Sequence, residues 1–310
     1  MTKCGCRFQA RTWLMAAALA ALAAGCGDGI FGSPAAPAAP AAPAADPGPA
    51  GAGPDLGAAA TYGMAATAGV NNTGATTVNG DVVLANPTVT CNAVVPVPGG
   101  AGTAGFGLCA GAAPTLNGTV TTPSFPDAFT ATNVKNAMNA AFLSITPPAG
   151  PPAAGSRGGA TNLPAGTTLG APIGSPLVLN DNLFVPGIYQ SLTSILITGD
   201  LTLDAQGNSS AVFIFQSSST VGTAANARIL LVNGAKASNV YWQAASSATL
   251  LANTIWQGNI LAAADITMNT GATSCGRLWS GAWVGGSGAF VFDADVVSVP
   301  GSASAPVGCQ

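Results

Sequence analysis

Residues 199–242 contain four short runs of β-forming residues, and no helical periodicity passes through them. The runs occupy 201–203, 211–216, 228–232 and 239–243, the last of which ends one residue beyond this stretch. Val, Ile, Phe and Thr suit a pleated strand, and Gly207-Asn208 and Asn233-Gly234 are turn signals. Strands this short that recur with tight corners predict either a β-solenoid or a β-sandwich.

Two of these runs look like the same strand met twice. AVFIFQ begins at Ala211 and NVYWQA begins at Asn239, so equivalent positions lie 28 residues apart (239 minus 211). Self-similarity at such a distance is typical of stacked repeats. It is a plausible length for one irregular coil of a solenoid.

One segment differs from the rest because it has a helical period. Residues 126–145 read PDAFTATNVKNAMNAAFLSI, with Asp127 or Thr130 available to cap the start and Pro147-Pro148 to end the helix. Apolar residues recur at steps of three and four. They are Val134, Ala137, Met138, Ala141, Phe142 and Ile145. We therefore expect a helix over 126–146 that packs against a sheet.

Several separate segments, in the right order, resemble the ice-binding-like domain, a family of secreted microbial proteins. They are LGAAATYGM, NNTGATTVNGDV, PGIY, AQGNSSAVFIFQ, ILLVNGAKASNVYWQ, WQGNILAAADITMNTGAT and GRLWSGA, and the resemblance spans residues 56–299. It implies an all-β fold with one long helix: an irregular, right-handed, three-sided β-solenoid with a parallel α-helix. Residues 86–125, rich in Pro, Gly and Thr, are expected to be an insertion that caps one end of the solenoid, because open strand edges need a cover.

The N-terminal residues resemble an export signal followed by a spacer. A basic start and an apolar run over 13–24 lead to Leu22-Ala23-Ala24-Gly25-Cys26, which is similar to a lipobox. We expect residues 1–25 to be removed and Cys26 to be lipidated; the alternative is an ordinary signal peptide. The Ala/Pro-rich linker in 26–55 favours an extended stalk. These features predict an exported lipoprotein of the outer membrane or cell surface, with residues 300–310 as a C-terminal tail.

Four cysteines remain once residues 1–25 are removed and Cys26 is lipidated: Cys91, Cys109, Cys275 and Cys309. An even number in an exported chain predicts two disulfides, and three connectivities are open. A Cys91–Cys109 bond would close a short loop within the insertion. A Cys275–Cys309 bond would pin the tail to the last coils.

The charge content restricts the chemistry that the chain can perform. Only 6% of the residues are charged, and the chain has neither His nor Glu. A Ser-His-Asp triad and an imidazole zinc site are therefore excluded, and no clustered basic footprint for nucleic acid is present. Two carboxylate pairs, Asp200 with Asp204 and Asp293 with Asp295, could each share a face. We expect the first pair to flank a strand and the second to lie on an exposed last coil, and we predict no enzyme, cofactor or metal site.

The remaining possibility is a binding surface made of stacked strands. Equivalent outward residues of a solenoid form a ladder with a spacing of about 4.7–4.9 Å. Thr is stiff at χ1, so a Thr ladder is ordered before it binds. In the related family, Thr-x-Thr and Thr-Gly/Ala-x-Thr/Asn patterns are associated with surfaces that face ice. The candidates are Thr220, Thr223, Asn226, Thr249, Thr254, Thr267, Asn269, Thr270 and Thr273.

We therefore predict a cell-surface-tethered protein that adsorbs to an ice crystal surface, attached to the membrane through its lipid anchor. It would inhibit ice growth and recrystallisation, or attach the cell to ice. The alternative is an adhesion module that binds a glycan or a surface protein on the same scaffold. An exposed Trp279 or Trp283 would favour the alternative, and exposed indoles at Trp256, Trp279 or Trp283 would interrupt a flat face.

Overall fold

Three parallel sheets form the sides of a solenoid. The structure is a computed structural model that describes residues 53–84, 108–111, 114–121, 128–147, 161–163, 168–170, 182–283, 285–302, 306 and 309. Within these residues 25 strands and one α-helix are present. All strand pairs in the three sheets are parallel, with register shifts in only two of them, as a coil that returns to the same side on every turn requires. The predicted three-sided solenoid is therefore confirmed.

Sheet A has nine strands. In spatial order they are β7 (Val120–Thr121), β4 (Asp81–Leu84), β1 (Tyr62–Ala66), β23 (Leu278–Ser280), β20 (Asn259–Ala262), β17 (Val240–Ala244), β14 (Phe213–Ser217), β11 (Gly187–Ser191) and β8 (Thr161–Leu163).

Sheet B has eight strands. In spatial order they are β5 (Leu108–Gly111), β2 (Gly69–Asn72), β24 (Ala289–Phe292), β21 (Ile266–Met268), β18 (Ala248–Leu250), β15 (Val221–Thr223), β12 (Ile195–Ile197) and β9 (Thr168–Leu169).

Sheet C also has eight strands. In spatial order they are β10 (Leu183–Phe184), β13 (Asp200–Asp204), β16 (Arg228–Val232), β19 (Ile255–Gln257), β22 (Thr273–Cys275), β25 (Val296–Ser298), β3 (Thr77–Asn79) and β6 (Thr115–Asn117).

The order of the strands is discontinuous along the chain. The first coil packs beside the last one, because β1 pairs with β23, β2 with β24 and β3 with β25.

The helix α1 (Ala128–Ser144) connects β7 with β8, which are at opposite ends of sheet A. A helix of this length spans about 25 Å, so it carries the chain back along the solenoid. The predicted helix is confirmed. Two short 3₁₀ segments, Gly57–Ala59 and Ala237–Asn239, complete the regular structure of the described residues.

The interior of the solenoid is filled by stacked apolar side chains. Tyr189, Phe215 and Trp242 occupy equivalent positions on β11, β14 and β17. Their rings stack with centroid distances of 5.2 Å and 4.0 Å, and Trp256 lies against Trp242. The predicted spacing of 28 residues is wrong by one, because Phe215 pairs with Trp242, an offset of 27 (242 minus 215). AVFIFQ and NVYWQA still lie on neighbouring coils, and each presents an aromatic residue to the same core.

A second apolar cluster lies outside the solenoid, between α1 and sheet A. The helix contributes Val134, Met138, Phe142 and other residues of its predicted apolar face. Sheet A contributes the outward side chains of its strands, which are buried because the helix covers them. Trp279 belongs to this cluster, with 1% of its surface exposed.

Three strands from the predicted insertion extend the solenoid. β5, β6 and β7 all fall within 86–125, and each is the terminal strand of one sheet. The described part of this range is thus a further coil. The cap itself stays a prediction, because 86–107, 112–113 and 122–125 lie outside the described residues.

The tail is linked to sheet C by a disulfide. Cys275 of β22 is bonded to Cys309, with the two Cα atoms 5.4 Å apart. This pairing is confirmed. Cys91 lies outside the described residues, so the Cys91–Cys109 pairing stays a prediction, as do the signal peptide, Cys26 and the linker up to residue 52.

Candidate functional site

Sheets A and C are poor candidates for a flat, neutral surface. Helix α1 covers the outside of sheet A. Sheet C carries an ion pair, in which Arg228 donates to Asp200 with an Nε–Oδ1 distance of 2.8 Å and about half of each side chain is exposed. The tail also crosses sheet C at Cys275.

Sheet B presents a row of mostly small side chains. The alternation of a short strand directs two side chains inward and leaves one in the centre pointing outward. We call these outward residues the central row. They are, in order along the sheet, Thr168, Leu196, Gly222, Thr249, Thr267, Val291 and Asn71.

The central row is in register along its whole length. No shift interrupts the pairing from β9 to β2, and a shift first occurs between β2 and β5, beyond Asn71. Thr249 and Thr267 are direct neighbours. An unbroken register keeps equivalent side chains level, so this surface is regular at the spacing of neighbouring strands.

Corner residues widen the surface on both sides of the central row. Those before the strands are Ser194, Thr220, Ser247 and Asp265, and those after them are Thr198, Ala224, Leu251, Asn269 and Asp293; all are partly or fully exposed. Together with the central row they form what we call the sheet B face. Most members are short and uncharged, and the charged members Asp265 and Asp293 lie at its two borders.

Buried serines fix the corner between sheets A and B, and sequence reasoning missed them. Ser217 donates to the carbonyls of Thr193 and Thr220, both at 2.9 Å, and so ties two coils together. Ser280 does the same with Ala264 and Ala289, both at 3.0 Å. Both serines are fully buried at equivalent ends of sheet A strands. Their only sequence signal is a Ser at the end of a β-run.

The prediction that Thr223 and Thr254 face ice is wrong. Thr223 and Thr254 are 2% and 1% exposed, and their hydroxyls bond to each other inside the solenoid at 2.7 Å. Thr223 ends β15 and Thr254 ends the corner before β19, so both point inward. Neither hydroxyl can reach a ligand on the outside.

The other seven candidates are distributed over three places. Thr249 and Thr267 form part of the central row, with Thr220 and Asn269 on its flanks. Asn226 and Thr270 lie at the corner between sheets B and C, where Thr270 donates to the Asp293 carboxylate. Thr273 points outward from sheet C. The structure therefore brings Thr220, Thr249, Thr267 and Asn269 onto the sheet B face, with Thr270 at its border.

The carboxylate pairs behave differently from each other. Asp200 and Asp204 are the two ends of β13, as expected, with Asp204 accepting from Asn233 at 2.9 Å. Asp293 and Asp295 do not share a face, because Ala294 between them has a left-handed φ of 58°. Asp295 is fully buried, so its expected place on an exposed coil is wrong. The coil is not the last one either, since β3 and β6 lie beyond β25.

The buried Asp295 and the half-buried Lys135 have shifted pKa values. Burial raises the pKa of the Asp295 carboxyl to about 7, because a charge is poorly solvated there. Burial likewise lowers the pKa of the Lys135 amine to about 8. Lys135, on α1, donates to the carbonyls of Gly281 and Trp283 and so joins the helix to the corner before β24.

The indoles divide into two buried ones and an exposed one. Trp256 lies in the solenoid core and Trp279 lies under the helix, so neither interrupts an exposed face. Trp283 has 52% of its surface exposed, in the corner between sheets A and B. It lies beside the sheet B face and not within the central row.

In the described part of the chain, no group of three or more Cys, Asp, Glu or His side chains could bind a metal ion. No helix there is both long and apolar enough to cross a membrane.

The protein is a discontinuous three-sided β-solenoid with a lateral helix, and one of its sides carries the hydroxyl groups of Thr249 and Thr267 in register. The family model described as "Ice-binding-like" matches residues 64–284, more than half of the chain. The chain therefore belongs to the ice-binding-like family.

Relatives and solved structures agree with this assignment. An ice-binding protein of Nostoc sp. (strain HG1) is 48% identical over 93 residues, which cover 30% of this chain and 34% of that protein. Ice-binding protein 1 of Shewanella frigidimarina (strain NCIMB 400) is 35% identical over 107 residues, 34% of this chain and 12% of that protein. The chain thus matches about a third or less of these curated relatives. A crystal structure of an ice-binding protein from an Antarctic biological consortium superposes with a TM-score of 0.58 at 28% identity, covering 79% of this chain and 91% of that one.

Proposed function

We propose that this protein adsorbs to ice through the sheet B face and thereby slows the growth and recrystallisation of ice. The observation that carries the proposal is the central row: an unshifted, uncharged row of mostly short side chains with two threonines in register. Ice presents a planar array of water molecules that repeats regularly. A flat array of hydroxyl and methyl groups with its own regular spacing can match it, whereas a charged surface keeps its own hydration shell.

Two features of the surroundings support this assignment. The serine bonds at Ser217 and Ser280 hold the border of the face rigid, so little conformational entropy is lost on binding. The relatives named above are called ice-binding proteins. Leu196 and Val291 interrupt the hydroxyl pattern, so the proposed contact centres on the three coils from β15 to β21.

The test is inhibition of ice recrystallisation by the full chain, compared with a variant on each of two faces. We expect Thr249→Tyr to abolish the activity, because a ring in the centre of the flat face prevents close approach to ice. Thr202→Tyr is the matched control: the same substitution at a partly exposed outward position of sheet C. Equal activity of both variants, or no activity of the unaltered chain, would refute the proposed role of this face.

We also propose that the domain is tethered to the cell surface through a lipid at Cys26 and the Ala/Pro-rich linker. The lipobox-like residues 22–26 and the linker composition support this. Membrane fractions of the producing cell should contain the protein, and Cys26→Ser should release it. Membrane association that survives this substitution would contradict lipidation.

A second candidate function is adhesion to a glycan at Trp283. The exposed indole favours it, since the backbone carbonyl of Trp283 is held by Lys135 and an exposed aromatic face can stack on a sugar ring. Retention on an insoluble polysaccharide that is lost in Trp283→Ala would support this function. Recrystallisation inhibition that is unchanged in the same variant would separate it from ice binding.

A further inference from the structure

Asp295 links three successive coils at the corner between sheets B and C. Its Oδ1 accepts the N–H of Ala272 at 3.1 Å, and its Oδ2 accepts the N–H of Asp293 at 2.7 Å. Its own N–H donates to the Thr76 hydroxyl at 3.1 Å. The residue has no exposed surface. A single buried residue therefore connects three corners: its carboxylate joins 269–272 to 293–295, and its backbone N–H reaches 73–76.

Two of these corners carry the border of the sheet B face. Asn269 and Thr270 precede Ala272, and Thr270 donates to Asp293 on the outside of the same corner. Ala294 has a left-handed backbone, which costs a non-glycine residue energy and needs support from its surroundings. The bond from the Asp293 N–H to the Asp295 carboxylate spans Ala294 and supplies that support.

We propose that Asp295 is a positioning residue for the sheet B face, whose ionised carboxylate fixes the corner that carries Asn269, Thr270 and Asp293. The inference rests on the proposed function of this face. An ionised carboxylate accepts both N–H groups in charge-assisted bonds, which are the strong kind. A protonated carboxyl turns one oxygen into a donor, so one of the two anchoring bonds is weakened and the corner becomes less rigid.

The charged surroundings of Asp295 are simple. The corner segments 269–272 and 73–76 read NTGA and TGAT, so neither contributes a titratable side chain. Asp293, on the same corner as Asp295, is the charged group that acts on it, and its negative charge favours protonation of Asp295. The interior side is apolar core. With a pKa of about 7, Asp295 changes its ionisation near neutral pH.

This arrangement makes stability and positioning respond to pH in opposite directions. The carboxyl has a higher pKa in the folded chain than in the unfolded chain, where it is about 3.9. Between these values the folded chain binds more protons, so the free energy of unfolding falls as pH rises towards 7. Positioning improves over the same rise, because the ionised form holds both N–H groups. A purely structural role would move stability and ice activity together.

The experiment uses the full chain at about two pH units below and above 7, in buffers whose pH changes little on cooling. Backbone amide resonances of Ala272 and Asp293 are followed by NMR, with ice recrystallisation inhibition and urea unfolding as parallel measurements. We expect both amides to titrate together near pH 7. Ice activity should be lost towards acid while the protein becomes more stable. Asp295→Asn should remove the amide titration, the acid loss of ice activity and the fall in stability with rising pH on the acid side of pH 7, and should leave the rise in stability due to Lys135 at higher pH. Asp204→Asn, on the outside of sheet C, should retain all of these responses.

The outcomes separate this inference from the proposed function. Ice activity without titration of the two amides, or ice activity that rises with stability towards acid, would overturn the role of Asp295. Titrating amides in a protein with no ice activity at either pH would overturn the function of the face. Should Asp295→Asn fail to fold, the amide titration and the pH profile of the unaltered chain still decide the question.

Discussion

The hydroxyl of Thr223 lies 2.7 Å from the hydroxyl of Thr254 inside the solenoid, although both belong to motifs associated with an ice-facing surface. Both hydroxyls also form hydrogen bonds with the backbone of the corner between β18 and β19. Thr223 accepts the N–H of Leu251 at 2.9 Å, and Thr254 donates to the Leu251 carbonyl at 2.6 Å. These two threonines therefore shape the corner from within.

Replacing either of these threonines should affect stability and leave ice binding in place. Thr223→Val and Thr254→Val keep the shape of the side chain but leave buried polar partners unsatisfied, which costs about 1–3 kcal/mol each. Urea unfolding measures this loss. The double variant should lose less than the sum of the two, because the hydroxyls bond to each other. Additive losses would show that the two hydroxyls are not coupled. A loss of ice activity in variants that are still folded would contradict the conclusion that these two residues do not contact ice.

A gain of ice activity is expected from Gly222→Thr. Gly222 is the central-row residue beside Thr249, so the substitution would place three threonines in register. A Cβ added there meets the Thr249 carbonyl at 3.6 Å and Leu196 at 3.7 Å, which are ordinary contacts. Thermal hysteresis should increase. Gly222→Tyr at the same position should decrease it, and an unchanged value in both variants would show that this coil does not touch ice.

Residue patterns predicted the solenoid or sandwich class, the helix and, with the family resemblance, the three-sided coil. The aromatic runs in β14 and β17 predict the recurring strands, and the apolar period of α1 predicts the helix. Both signals exist because core residues recur at fixed steps. The Cys275–Cys309 bond belongs to one of the three connectivities that four cysteines allow, and the spacing of the cysteines alone could not select that connectivity.

Sequence could not assign each threonine to the inside or the outside. A shift of one residue reverses the side to which a strand residue points. Thr223 and Thr249 differ in this phase although three residues precede each of their strands, 218–220 before β15 and 245–247 before β18. Thr249 is the middle residue of β18 and points outward, while Thr223 is the last residue of β15 and points inward.

Loss of the Cys275–Cys309 disulfide should destabilise the protein without removing ice activity. The bond closes a segment with a sequence separation of 34, and disulfides of this kind contribute about 2–4 kcal/mol. Urea unfolding of the Cys275→Ser/Cys309→Ser double variant measures the loss. Recrystallisation inhibition should be retained, because the bond lies on sheet C. A parallel loss of inhibition in the folded variant would indicate that sheet C contributes to the ice-binding surface.

Lys135 should make the protein more stable as pH rises above neutral. Its pKa is about 8 in the folded chain, below the value of about 10.4 for an unfolded chain, because burial disfavours the charged amine. Between these values the unfolded chain binds more protons, so the free energy of unfolding increases with pH. Lys135→Met should flatten the slope measured by urea unfolding from about pH 8 to about pH 10, whereas Lys236→Met should retain it. A slope that persists in Lys135→Met would show that the contacts of this amine with Gly281 and Trp283 do not govern its titration.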